Sequence, residues 1–199
     1  MRRLHQLVLA ISHAGAIAGG ALFLLAAAII GIDVILRTAF ARSIGGADEL
    51  SGYALAIATA WGLSFALLHR AHIRIDSLYE LFPAWVRSGL DILSLLGFLL
   101  FMGLTSWRAW GVLAQSIASG ARSISALSAP VAVPQALWLG GLVFLLLTLS
   151  LLLVESLVAL VSGDLRAVSR LIGSKAVAEE VHDELVESAS VRDGAVPRP

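Results

Sequence analysis

The sequence predicts an all-α integral membrane protein of four transmembrane helices, both termini cytoplasmic, with short amphipathic helices in the interface. Three observations carry that reading. Hydrophobic residues make up 58% of the 199 residues and charged ones 14%, with a mean hydropathy of +0.89, far from soluble proportions. Four apolar runs approach or exceed the roughly 20 residues that cross a hydrocarbon core about 30 Å thick. Basic residues gather at alternate ends of those runs.

The first run is "AGAIAGGALFLLAAAIIGI", Ala14 to Ile32, continuing past Asp33 to give a span over residues 14–36. Its length exceeds a signal-peptide core and it runs on beyond Ala26 to Ala28, so a retained anchor is expected. "LSGYALAIATAWGLSFALL" is the second, residues 50–68, bounded by Glu49 and His69. The third covers residues 88–114, with Asp91 near its start and Arg108 in its last third. "ALWLGGLVFLLLTLSLLLV" anchors the fourth, over residues 135–158, with Glu155 near its end. Residues 1–162 thus form one membrane domain. Residues 163–199 form a tail, amphipathic and then acidic (Glu179, Glu180, Asp183, Glu184, Glu187), whose composition reads as disordered.

With the N-terminus inside, the inner segments hold Arg2, Arg3, Arg70, Arg74, Arg87, Arg166, Arg170 and Lys175, against Arg37, Arg42, Arg108 and Arg122 outside. Both termini cytoplasmic is the better fit. Lysine plus arginine and aspartate plus glutamate each total 14, so no bulk charge draws the chain to nucleic acid. The chain has no cysteine, which excludes disulfides, thiolate metal sites, iron–sulfur clusters and thiol redox chemistry.

The most ionisable stretch of the front half is "HRAHIRID", residues 69–76. His69 and His72, with Asp76 four residues after the second, would share one helix face and suit a metal. The alternation of Arg70, His72, Arg74 and Asp76 with Ala71, Ile73 and Ile75 argues instead for an extended basic cap against lipid headgroups. A contact with a partner subunit is the third reading. Beyond it, Ile75, Leu78, Leu81 and Phe82 fall at helical spacing before Pro83, with Tyr79 and Trp85 as interface anchors. Leu4, Leu7, Val8 and Ile11 repeat that device at the N-terminus, and Leu165, Val168 and Ile172 repeat it after the last span. The outer connector "SGARSISALSAPVAVPQ" carries Pro130 and Pro134, which interrupt helix and favour an extended chain.

"GIDVILR", "DELSGYALAIATAWGLSFALLHRAHIRID" and "SISALSAPVAVPQALWLGG" resemble, in order and spacing, the DctQ-type small membrane subunit of tripartite ATP-independent periplasmic (TRAP) transporters. The resemblance covers about residues 10–160, and its most specific part is Asp48 and Glu49, then the span, then "HIRID". It implies a non-catalytic subunit of a sodium-coupled inner-membrane importer of organic acids, commonly carboxylates. Its partners would be a large permease subunit, which it would brace, and a periplasmic substrate-binding protein. No cofactor is implied. The residues themselves carry no nucleotide loop, Ser/His/Asp grouping or HExxH, so no enzyme is expected.

Asp33 and Arg37, four apart, would pair on one helix face, and Arg108 beside Trp107 and Trp110 would snorkel. The candidate interface or structural residues are Asp33, Arg37, Asp48, Glu49, His72, Arg74, Asp76, Pro130 and Pro134. Two other functions fit four helices: a haem electron carrier using His13 and His69, or a small stand-alone transporter, for which the fourth span offers only Thr148 and Ser150 as polar lining.

Overall fold

The computed structural model describes residues 2–69, 82–125, 127–163 and 171–172, the side chains of residues 2–4 and 84 excepted. These are almost wholly helical. α1 spans Arg2–Phe40, α2 Ala47–Leu68, α3 Ala84–Ser119 and α4 Ala132–Val161, each long and apolar enough to cross a membrane. The start of α1, the end of α2, the start of α3 and the end of α4 share one end of the molecule, the terminal end. The other is the connector end, holding residues 41–46 and 120–131.

Each boundary has a local cause. α1 runs 39 residues, about 58 Å at 1.5 Å per residue, because nothing between Arg2 and Phe40 breaks it. Ser12 merely bonds back to the Leu9 carbonyl at 3.0 Å. The N-terminal stripe is therefore the first turns of α1 rather than a separate interfacial helix, with Val8 buried and Leu7 exposed. Pro83, extended, stands immediately before α3 as expected. Gly120 ends α3 in the left-handed region, φ 59°, and the following Ala121 N–H reaches the Ser116 carbonyl at 3.0 Å.

The fourth helix corrects the reading of Pro134. The expected extended segment stops at Val131, and Pro134 lies in the first turn of α4. A proline there costs no bond, since the first N–H groups of a helix have no intrahelical partner. Pro130 does remain in extended chain.

The principal helix contacts among the described residues join α1 to α2, α2 to α4 and α4 to α3. With these three as the principal contacts and weaker ones beside them, the four helices form an open row, α1–α2–α4–α3, rather than a closed square. α4 is central and accordingly the most buried, with Leu145, Thr148 and Leu149 fully inaccessible. One apolar cluster joins Leu67 of α2, Ile92 and Leu95 of α3, and Leu145, Leu149 and Leu152 of α4. A second, nearer the connector end, joins Ala60, Ala109, Leu113, Leu139 and Leu142. Small hydroxyls also sit between helices, their hydrogen bonds returned to their own backbone: Ser106 to Met102, Thr148 to Phe144 and Ser156 to Leu152, at 2.7–2.9 Å.

Ile172 belongs to the first of these clusters, only 6% exposed. The sequence placed it on an amphipathic face lying on the leaflet; protein, not lipid, covers it. Leu165 and Val168 lie outside the described residues.

Candidate functional site

Two acidic side chains organise the connector end. Asp33, two turns before the end of α1, is 2% exposed. One carboxylate oxygen accepts the Ser43 hydroxyl at 2.8 Å and the Ile44 backbone N–H at 2.7 Å, and the other accepts Arg37 Nη2. The chain after Phe40 therefore turns back along α1, through Ala41 at φ 49° and Gly45 at φ 64°. Arg37 is paired as expected, yet its side chain stays 60% exposed, so one face of the guanidinium remains open.

Asp48 and Glu49, neighbours in the first turn of α2 where the helix dipole favours negative charge, do different work. Glu49 accepts the Tyr53 hydroxyl one turn on, and the Ser125 and Ser123 hydroxyls of the α3–α4 connector lie against its carboxylate. Asp48 points outward and is exposed. Gly46, at φ 102°, lets Leu127 of that connector sit where a side chain would otherwise stand: a Cβ there would lie 2.4 Å from Leu127 Cδ1.

The connector is itself internally tied. Arg122 and Pro130 form an antiparallel bridge, Arg122 Nη1 donates to the Ser128 carbonyl at 3.0 Å, and the Ser123 N–H donates to the Ala129 carbonyl at 2.9 Å. Ser128 takes φ 45° at the turn. The outcome is a compact surface at the connector end. Both connectors are fixed by carboxylates, while Asp48, Arg37, Arg42 and Arg122 are displayed to the outside.

Midway along the row, Trp61 of α2 joins three helices. Its Nε1 donates to the Leu137 carbonyl of α4 at 3.0 Å and its ring stacks on Phe144 at 5.9 Å. A Cβ on Gly15 of α1 would come within 3.2 Å of it, and one on Gly141 within 2.9 Å. Gly19 lies equally close to the Ala58 backbone, whereas Gly20 meets nothing within 4 Å. Gly15, Gly19 and Gly141 thus serve packing within the chain.

At the terminal end, Phe65 carries both histidines of the haem reading. Its ring centroid lies 5.8 Å from that of His13 and 3.9 Å from that of His69, and His69 Nδ1 lies 2.9 Å from the Phe65 carbonyl. His69 is thus engaged in closing α2. Glu155 faces His5 Nδ1 at 3.5 Å, tying the first turns of α1 to α4. His72, Arg74 and Asp76 lie outside the described residues.

The sequence reading missed Ser43, Tyr53, Ser123, Ser125 and Trp61. Tyr53 could have been found from its place four residues after Glu49. The serines could not, because their roles depend on where connectors return.

A family model described as "Tripartite ATP-independent periplasmic transporters, DctQ component" matches residues 26–162. No curated protein and no solved structure matches the chain.

Proposed function

The chain belongs to the family of DctQ components of TRAP transporters, and from that premise we propose that it braces the static part of a large permease subunit in a sodium-coupled importer of organic acids. The family makes it a small permease subunit rather than an enzyme, resident in the inner membrane and working with a large permease and a periplasmic substrate-binding protein. That replaces both the haem reading and the stand-alone transporter.

The observation that carries the bracing role is the open row of helices. α1 and α3 stand at its two edges with one principal neighbour each. They present Phe23, Leu24 and Leu25 on one side and Leu100, Phe101 and Trp107 on the other, all more than half exposed. Gly20 on α1 and Gly97, Gly103 and Gly111 on α3 leave open space for a close approach. In lipid there is no hydrophobic drive between helices, so association rests on such close packing. A rigid row with unfilled edges suits a scaffold better than a conduit, since its interior is packed with leucine and Thr148 and Ser156 return their hydroxyls to their own backbone.

In this reading both termini are cytoplasmic, and the connector end faces the periplasm, where Asp48, Arg37 and Arg122 meet the incoming binding protein. His72, Arg74 and Asp76 act at the inner interface as structural contacts. No sodium or substrate ligand is assigned to this chain; recognition of a carboxylate falls to its partners. Deleting the chain from a strain that carries its partners should abolish sodium-dependent uptake and leave the binding protein's affinity unchanged. Full uptake in the deletion strain would refute the role.

A further inference from the structure

We propose that Leu171 and Ile172, beyond α4, act as a strap at the terminal end of the row, where Ile172 holds α2, α3 and α4 together. α4 stops at Val161, and two residues on Gly163 has a left-handed φ of 73° and closes its N–H on the Leu160 carbonyl at 3.0 Å. That geometry ends a helix and turns the chain off its axis. Residues 171–172 are again helical, and Ile172 lies in one apolar cluster with Leu67 of α2, Ile92 and Leu95 of α3, and Leu152 of α4. Leu171 packs against the same cluster.

An amphipathic helix lying on a leaflet would leave its apolar side chains covered by lipid. Ile172 is 6% exposed with protein alone around it, so its cover is the bundle. The placement matters because the row is open. α3 sits at an edge with α4 as its one principal neighbour, and the strap adds a second attachment at the end where α3 begins. Residue 172 also lies beyond the family match, which ends at 162. The strap therefore stands or falls independently of the transport reading.

The absence of cysteine makes the test direct. In the full chain, Ile172→Cys is paired in turn with Leu67→Cys, Ile92→Cys and Leu152→Cys, membranes are oxidised, and free thiols are counted after denaturation with a polyethylene-glycol maleimide. Disulfides need Cβ atoms about 4 Å apart. At least one pair should lose both thiols by an intramolecular bond, while Ile172→Cys with Leu139→Cys, at the other end, should keep them. Retention of free thiols in all three pairs would overturn the strap. A second measurement asks whether the strap bears on stability. Chains ending at Gly163 should melt in detergent at least about 3 °C below the full chain, and chains ending at Lys175 at the same temperature as the full chain. Equal melting of all three would overturn its holding role.

Discussion

The indole nitrogen of Trp61 donates to the backbone carbonyl of Leu137, 3.0 Å away and on a helix 76 residues further along the chain. Around that bond three helices approach closely, because Gly15 and Gly141 withhold the side chains that would collide with the ring. Trp61→Phe keeps the stacking on Phe144 and loses the bond. It should cost about 0.6 kcal/mol, the usual worth of such a bond between membrane helices. Gly141→Ala places a Cβ 2.8 Å from the Ala60 Cβ and should cost roughly 1–3 kcal/mol by overpacking. Gly20→Ala, with open space around it, should be neutral. Melting curves of the three variants in one detergent give the order.

Asp33 and Arg37 form an ion pair whose halves are unequal. Asp33 also holds the Ser43 hydroxyl and the Ile44 N–H, and it is buried; Arg37 is mostly exposed. Removing the carboxylate takes the acceptor from the Ser43 hydroxyl, the Ile44 N–H and Arg37 at once, whereas removing the guanidinium leaves the carboxylate two other partners. Asp33→Ala should therefore lower the melting temperature clearly more than Arg37→Ala. Equal losses would show that the pair, not the connector, is what Asp33 serves.

The neighbouring acids of α2 should separate in the same way. Glu49→Ala removes the acceptor for Tyr53 and the anchor of the Ser123 and Ser125 connector. A cysteine at Ile124, which is fully exposed, should label at an unchanged rate in that background, while proteolysis of the connector speeds up. Asp48→Ala should leave both unchanged. Cleavage at the same rate in both variants would remove the anchoring role from Glu49.

Much of this molecule was legible in its sequence because bilayer thickness dictates long apolar runs, and each run found is a helix here. The break before α3 was legible too, since Pro83 fixes it. Helix ends were not, because charged and polar residues flanking an apolar run continue the helix: Arg2 to His13 extend α1, and residues 115–119 extend α3. The pairing of Asp33 with Arg37 followed from their spacing of four. The division of labour between Asp48 and Glu49 did not, because it depends on a connector that arrives more than 70 residues later. The open row was equally hidden, since periodicity tells which residues are apolar and not which helix lies beside which.

Topology is tested at positions the fold leaves free. Gly46 is unsuitable for a probe, as any side chain there strikes Leu127. Ile124→Cys should label from the periplasmic side of intact cells, and Ser162→Cys, exposed just past α4, only after permeabilisation. The reverse pattern would invert the orientation proposed for both ends.

The central claim, that this chain works as the small subunit of a larger assembly, is tested most directly by co-purification. A tagged chain co-expressed with its partner genes and extracted in mild detergent should bring down one much larger membrane protein in fixed stoichiometry, and leucine substitutions at Gly20 or Gly103 on the open edges should weaken that capture. Recovery of the tagged chain alone, folded and monodisperse under conditions that preserve the large subunit, would contradict the account.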